Sequence, residues 1–598
     1  MVRLSDYVIN CLVEKGIKDI FLVSGGGIMY LLDSIGNNKK IKYYTNYHEQ
    51  AAATSAESYA RMKNHISACL ITTGPGSTNA ITGVAAAWVD SIPMIIISGQ
   101  VKREIIADYS KSRQLGPQEI NIIDVVKPIT KYAVTIMKPE DIRYQLEKAI
   151  YLATSGRPGP VWINIPLDIQ SSTINDNDLI GFDYIKDTKL PDVLKKDVEK
   201  ALKMLKNSRR PLIIGGNGVR LSGAQKLLAS YMTEYKIPIV TDENGLDLIS
   251  EDNPLYMGRY GPKGQRRANF TLQNSDLVLA IGASLNITST GFDYKHFAPN
   301  AKIIMVNIDK SELDKFTLKI DLPINLDAKE FLNELLRQSK GVKFNFSDKW
   351  KSACKKWKEK YNIIDPLHYL KGKKYVNSYV FASELSELLD SRDAVVTGMG
   401  LDVVSIIQSF KVKKRQRVYV NKNFGQMGWC LPAAIGACIA NGCRRTVLVT
   451  GDGSLQFNIQ ELATIAHYKL PVKIFVFNNL GYKSIRDTQN NLFEGRLVGA
   501  DISTGVSNPD FSKLAQAYNL SYEYIKNNNE IRSKVKKVIN KDGPVLCEVN
   551  IAYNQPRIPR SSTFQRPDGT LESRPLEDLF PFLPREEIWE NMHIFDNK

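Results

Sequence analysis

Short runs of consecutive apolar residues, each followed by a stretch with helical spacing, recur along the whole chain. In the first third they fall at residues 20–23, 67–71, 94–98 and 161–165, with a further strand-like stretch at 41–45. Apolar runs of this length fit strands buried on both faces, as in a parallel sheet covered by helices. A second set begins at Pro211-Leu212-Ile213-Ile214 and continues near 237–240, 277–281 and 302–308. A third set includes 447–450 and 472–477, with helical spacing over 459–468 between them. The alternation predicts an α/β fold of three doubly wound parallel-sheet domains, at 1–170, 195–340 and 375–551. A polar stretch at 171–196 and a lysine- and tryptophan-rich one at 340–375 read as linkers. Residues 552–598, rich in proline and charge and poor in strand pattern, read as a C-terminal tail. Its aromatics and the run 576–583 predict docking on other domains.

A chain of 598 residues is too long for one core, in agreement with several domains. The 79 Lys+Arg against 63 Asp+Glu give a net charge of +16, which raises nucleic acid or an anionic membrane as partners. The basic residues, however, come in scattered short clusters such as Lys413-Lys414-Arg415, with no basic stripe interleaved with aromatics. Neither partner is therefore expected, and no apolar run reaches the roughly 18 residues that a membrane span needs. The seven cysteines form no CxxC pair, which fits reduced thiols better than a disulfide framework or a zinc site. With a polar first segment unlike a secretory signal, this predicts a cytoplasmic protein.

The two strands at 447–450 and 472–477 are followed by Gly451-Asp452-Gly453-Ser454 and by Asn478-Asn479-Leu480-Gly481-Tyr482. Open α/β sheets bind ligands at the carboxyl ends of their strands, where both motifs would lie. The carboxylate of Asp452, the amide oxygen of Asn479 and a backbone carbonyl near Gly481 are hard donors suited to Mg²⁺ bridging phosphate oxygens. Each turn alone is common, so two unrelated turns flanking a helix remain the alternative. In the first domain, Glu49 of His48-Glu49-Gln50-Ala51-Ala52 opens an Ala-rich helical run. Taken alone it reads as a first-turn glutamate favoured by the helix dipole.

The spacing of the Gly-Asp-Gly and Asn-Asn motifs resembles the signature of thiamine-diphosphate enzymes. His48-Glu49-Gln50-Ala51-Ala52, Thr73-Gly74-Pro75-Gly76-Ser77-Thr78-Asn79, Asp90-Ser91-Ile92-Pro93, Gly156-Arg157-Pro158-Gly159-Pro160 and Asn423-Phe424-Gly425-Gln426-Met427-Gly428 resemble, in order, motifs of acetolactate synthase and its relatives. The likeness covers roughly residues 1–550. It implies that Glu49 activates the cofactor pyrimidine and that Met427 wedges between the cofactor rings to force a bent conformer. Asn79, Gly398, Met399, Gly453, Ser454, Asn479 and Tyr482 would contact the cofactor, and Asp452, Asn479 and Gly481 would hold Mg²⁺. Gln118 would face the reacting carbons. The resemblance also implies a homodimer, or a homotetramer, in which Glu49 and the diphosphate site come from different subunits.

Two departures stand out. Ser284 and Thr288 occupy places where flavin-binding relatives carry arginines, which counts against FAD as a cofactor, although Gly215-Gly216-Asn217-Gly218 is compatible with it. The synthases' acceptor-pocket methionine and tryptophan give way to the polar segment Tyr482-Lys483-Ser484-Ile485-Arg486-Asp487-Thr488-Gln489, and Arg557, Arg560 and Arg566 of the tail add cations. The resulting expectation is a carboligase that decarboxylates pyruvate or a similar 2-oxo acid and transfers the acyl unit to a carbonyl acceptor, such as a keto-sugar. The alternatives are biosynthetic acetolactate synthase, a simple decarboxylase, or a non-catalytic relative.

Overall fold

The apolar runs become the central strands of three six-stranded, all-parallel sheets in a computed structural model that describes residues 1–184, 192–361, 374–565, 567–568 and 571–595. In the first sheet the order is Lys42–Thr45, Asp19–Leu22, Ser67–Ile71, Met94–Gln100, Pro160–Pro166, Tyr132–Thr135. The second runs Tyr256–Arg259, Ile239–Thr241, Pro211–Gly215, Leu277–Ile281, Lys302–Asn307, Leu322–Asn325. The third runs Arg417–Val420, Ala394–Thr397, Thr446–Gly451, Val472–Asn478, Val545–Asn550, Ser521–Ile525. Helices cover both faces of each sheet, as buried parallel strands require, and the α/β class read from the sequence is the observed one. Among the described residues no helix is long and apolar enough to cross a membrane.

The first and third sheets are joined through one helix pair. Glu49–Lys63, rich in alanine and serine, lies against Cys430–Ala440, buried along its whole length. The approach is so close that a Cβ on Gly436 would fall 2.0 Å from the Ser55 carbonyl oxygen. Ser55 Oγ and Ser58 Oγ donate to the carbonyls of Pro432 (2.9 Å) and Ala433 (2.6 Å), so the small polar residues satisfy themselves across the contact. Beside it, buried Arg61 pairs with Glu57 and with Asp90 (2.8 Å), and Asp90 also accepts from Asn423 of the third domain (2.8 Å) and Asn244 of the second (3.3 Å). One buried ionic network thus ties all three domains together.

Three expectations need correction. The stretch 340–375 is not simply a linker: Asp348–Lys360 is a helix that buries Trp350, Ala353, Cys354 and Trp357 against the middle domain. Those positions follow the i, i+3, i+4, i+7 spacing of one helical face, although lysines on the other face mask it. The polar stretch 171–196 likewise holds a short strand, Thr173–Ile174, paired with Val2–Arg3, and the start of the helix Asp192–Asn207; residues 185–191 lie outside the described ones. The tail, read as poor in strand pattern, forms a hairpin of Thr563–Gln565 with Leu571–Ser573 and a helix Arg585–Met592. It crosses back over the middle domain. Asn269 donates to the Leu576 carbonyl (2.8 Å), Arg266 to that of Leu579 (3.1 Å), and Trp357 to Asn591 (2.8 Å).

Candidate active site

Parallel pairing of Thr446–Gly451 with Val472–Asn478 sets Gly451 opposite Phe477. The two chain segments therefore leave the sheet side by side, and Asp452 and Asn479 meet just beyond its edge. Asp452, only 2% exposed, accepts from the backbone N–H of Gly453 (2.7 Å), Asn479 (3.1 Å) and Gly481 (3.0 Å) and from the Asn508 side chain (2.8 Å). Burial nonetheless raises its pKa, because these donors do not replace all the hydration it has lost. The side-chain oxygens of Asn479 and Asn508 are buried and make no hydrogen bond among the described residues. A buried carboxylate flanked by two orphaned amide oxygens is a donor set that fits a hard divalent cation. The Gly481 carbonyl already accepts from Lys483 N–H (3.0 Å), leaving it one lone pair for such an ion.

These groups border a cavity of about 280 Å³ lined by Met399, Gly400, Leu401, Asp402, Gly425, Met427, residues 451–454, Phe477, Asn479 and residues 481–485. Met399, Met427, Gly453, Ser454 and Tyr482 thus share one cavity with Asp452, Asn479 and Gly481. The Tyr482 ring lies so close over Gly453 that a Cβ there would fall 2.2 Å from it. Ser454 Oγ accepts from Gly428 N–H (3.0 Å) and fixes the loop that carries Met427. Gly398 lies behind the wall: a Cβ on it would sit 2.4 Å from Asp402 Oδ2.

Sequence reading missed Asn508 and Asp402. Asp402 sits in the first turn of the helix Leu401–Ser409, and one of its carboxylate oxygens is buried without a hydrogen-bond partner. Burial first, and the neighbouring charge of Asp452 in addition, push its pKa up to about 7. The Gly398-Met399-Gly400 turn was the only local signal for it; Asn508, far along the chain, had none.

The residues expected from the first domain form a separate group. Half-buried Glu49 heads its helix and accepts from exposed Asn79 (3.0 Å). A Cβ on Gly76 would lie 3.2 Å from the Glu49 carboxylate, and one on Gly74 would lie 1.8 Å from the carbonyl of Gln118, so the three residues share one loop cluster. Gln118 is exposed and held at φ +62°. Glu461 anchors the strand-to-helix turn just before Glu49, accepting from Asn46 (2.8 Å) and Tyr47 N–H (2.9 Å). No residue of the first domain lines the cavity around Asp452. Cys430 lies in the buried helix pair and His467 at the end of Glu461–His467, both outside the cavity lining.

The segment 482–489 does not face the cavity as a whole. Residues 482–485 line it, but Arg486 is buried and turned to the carbonyls of Asn479 (2.9 Å), Leu480 (3.1 Å) and Tyr553 (3.0 Å), with its guanidinium over the Tyr553 ring at 3.9 Å. Helix geometry is the reason, since one turn of Lys483–Leu492 can show only part of itself to the site. Asp487 pairs with Lys483 and with Arg557 of the tail (2.9 Å). Arg560 donates its backbone N–H to the carbonyl of Phe580 (2.9 Å), and Arg566 lies outside the described residues.

Comparison with known proteins decides the family. Residues 2–125 match "Thiamine pyrophosphate enzyme, N-terminal TPP binding domain", 198–335 the central domain and 398–549 the C-terminal TPP binding domain of the same enzymes. The chain belongs to the thiamine pyrophosphate enzymes. The acetolactate synthase large subunit of Cyanidium caldarium is 33% identical over 92% of this chain and 93% of its own. A probable acetolactate synthase large subunit of Methanocaldococcus jannaschii is 34% identical over 92% of this chain and 91% of its own. That of Lactococcus lactis is 31% identical over 93% of each. This chain is therefore a thiamine-pyrophosphate-dependent enzyme of the acetolactate synthase-like family.

Proposed function

We propose that the enzyme decarboxylates pyruvate or a similar small 2-oxo acid and transfers the acyl unit to a polar carbonyl acceptor, with Mg²⁺ as the metal. The observation that carries the polar acceptor is the cavity wall, where Lys483 and Ser484 stand beside the clamp. Acetolactate synthesis, with pyruvate as its own acceptor, is the second reading, and the names of the relatives favour it more directly than they favour a keto-sugar. Bound thiamine diphosphate would supply the carbanion chemistry. The orphaned amide oxygen of Asn479 and the carboxylate of Asp452 would hold the cation, Met427 and Tyr482 would hold the organic rings, and Glu49 would hold a proton at the pyrimidine. The amide of Gln118 would orient the substrate's carboxylate or carbonyl.

Glu49, Asn79 and Gln118 stand apart from the cavity within one chain, which supports a site completed by a second copy. Large apolar side chains next to both halves support the same arrangement: Tyr47 is 65% exposed, Leu115 65%, Phe457 53% and Leu480 56%. Such patches are typical of surfaces that become covered on assembly.

Competition decides between the two acceptors. With pyruvate and a hydroxylated ketone at equal concentration, the mixed product is expected to exceed acetolactate, because polar wall groups disfavour a partner that leaves them unpaired. Acetolactate as the main product, measured by mass spectrometry, would restore the second reading.

The middle domain does not fit a flavin diphosphate. Ser284 and Thr288 line its cleft, and the cations there are already engaged: Arg157 pairs with Asp309 (3.0 Å) and Glu312 (2.7 Å), Lys315 with Glu312, and Lys131 donates to the Ser155 carbonyl (2.6 Å). The Gly216 turn closes on its neighbour, since a Cβ on it would fall 2.3 Å from the Gly282 carbonyl. Purified protein is accordingly expected to carry no flavin absorbance and to gain no activity from added FAD. A stoichiometric yellow chromophore released on denaturation would contradict this.

A further inference from the structure

A track of polar and cationic groups leads away from the clamp cavity. It begins at Ser484, on the cavity wall, whose hydroxyl accepts from Arg557 of the tail (2.9 Å). Four residues later the tail touches the middle domain, where Ser561 N–H donates to the carbonyl of Pro262 (2.6 Å). The next residue is Lys263. The loop that carries it is pinned to the third domain by Gln408, whose amide donates to the carbonyls of Lys263 and Gly264, at 2.5 and 2.8 Å. Gln408 belongs to the last turn of Leu401–Ser409, and the first turn of that helix lines the cavity. Nine residues at 1.5 Å per residue put the Lys263 loop roughly 12 Å from the clamp end.

Lys263 is the odd cation of this region. Lys483 and Arg557 share Asp487, and Lys422 is matched by Glu243 and has buried Asp242 nearby. Among the described residues the Lys263 ammonium makes no hydrogen bond or ion pair. Burial lowers its pKa against the opposing pull of Glu243, and the smaller repulsions of Lys422 and Arg557 add to the lowering. The one carboxylate acting on this half-buried ammonium, Glu243, is already paired with Lys422, so its lost hydration is only partly replaced, an arrangement that an incoming anion would relieve. It also lies outside the cavity wall, too far for a carboxylate on the carbon next to the reacting carbonyl, as in a 2-oxo acid.

We infer that Lys263 and Arg557 form a phosphate subsite, and that the acceptor is a carbonyl compound carrying a phosphate or diphosphate several bonds from the reacting carbon. This rests on the polar-acceptor reading above. Lys263 and Arg557 are specificity residues here, remote from the bond being made.

The test is equilibrium binding by calorimetry, on protein saturated with thiamine diphosphate and Mg²⁺ so that the cofactor site is filled. Dihydroxyacetone phosphate and dihydroxyacetone present the same ketone with and without the dianion. The phosphate ester is expected to bind about tenfold or more tightly, as for hydrogen bonds to a charged group. That preference is expected to disappear in Lys263→Gln and to persist in Lys263→Arg. Lys263→Gln breaks no side-chain hydrogen bond or ion pair, and its retained cofactor affinity reports an intact fold. Uridine diphosphate is the third probe: binding tighter than the triose phosphate assigns the subsite to nucleotide-linked acceptors, and weaker binding to simple phosphate esters. Equal affinity for the two ketones, or a preference that survives in Lys263→Gln, overturns the subsite. A phosphate preference without any carbon–carbon product from pyruvate would instead leave the subsite standing and remove the carboligase reading.

Discussion

Asp452→Ala is expected to bind thiamine diphosphate at least about 10²-fold more weakly than the wild type in the presence of Mg²⁺, since even groups outside a metal's ligand set cost up to that much. The side chain has two tasks in the structure. It is the anionic member of the hard-oxygen set with Asn479 and Asn508, and it receives the N–H groups of Asn479 and Gly481 that shape the second turn of the clamp. Removing it would leave those buried donors unsatisfied, at about 1–3 kcal/mol each. Alanine therefore tests both tasks together. Asp452→Asn separates them, because it keeps an acceptor oxygen for the turn and loses the charge. If the asparagine variant melts near the wild type yet fails to bind cofactor at any Mg²⁺ or Mn²⁺ concentration, the charge is what the cation needs. Calorimetry showing Asp452→Ala binding the cofactor as tightly as wild type would remove the clamp altogether.

The clamp was legible in the sequence because each half is local: a glycine turn directly after one buried strand, and an asparagine pair directly after the next. The parallel register then brings the two halves together without help from the rest of the fold. Asp402 and Asn508 escaped because their roles come from tertiary placement, Asp402 through the first turn of its helix and Asn508 from 56 residues beyond Asp452. The helix Asp348–Lys360 hid for another reason. Its apolar stripe of Trp350, Ala353, Cys354 and Trp357 is narrow, and the surrounding lysines read as a solvated linker. Edge strands such as Tyr132–Thr135 and Leu322–Asn325 also lacked a signal, because a strand with one open side carries fewer apolar residues than a central one. The polar segment after the clamp was overread, since composition alone could not show that Arg486 turns inward to hold the Asn479 turn.

Glu49→Gln is expected to fold, to bind thiamine diphosphate and Mg²⁺ as the wild type does, and to lose activity by a factor on the order of 10² to 10⁴, the usual share of a positioned acid–base group. Folding should be untouched because the helix start is held by other groups: His48 Nδ1 accepts from Gln50 N–H (3.1 Å), and Glu461 holds Asn46 and Tyr47. Glutamine can also keep the contact with Asn79, whose amide now donates to the carboxylate. Binding should survive because every group that would hold the diphosphate and the cation lies in the third domain, in the cavity around Asp452. What glutamine cannot do is hold and release a proton. The loss should therefore show as slower exchange of the thiazolium proton for deuterium, followed by nuclear magnetic resonance after acid quench, with cofactor affinity unchanged. Exchange as fast in Glu49→Gln as in the wild type would strip Glu49 of the activating role, and the first-turn glutamate would then be what its helix position alone suggests, a charge placed to suit the dipole.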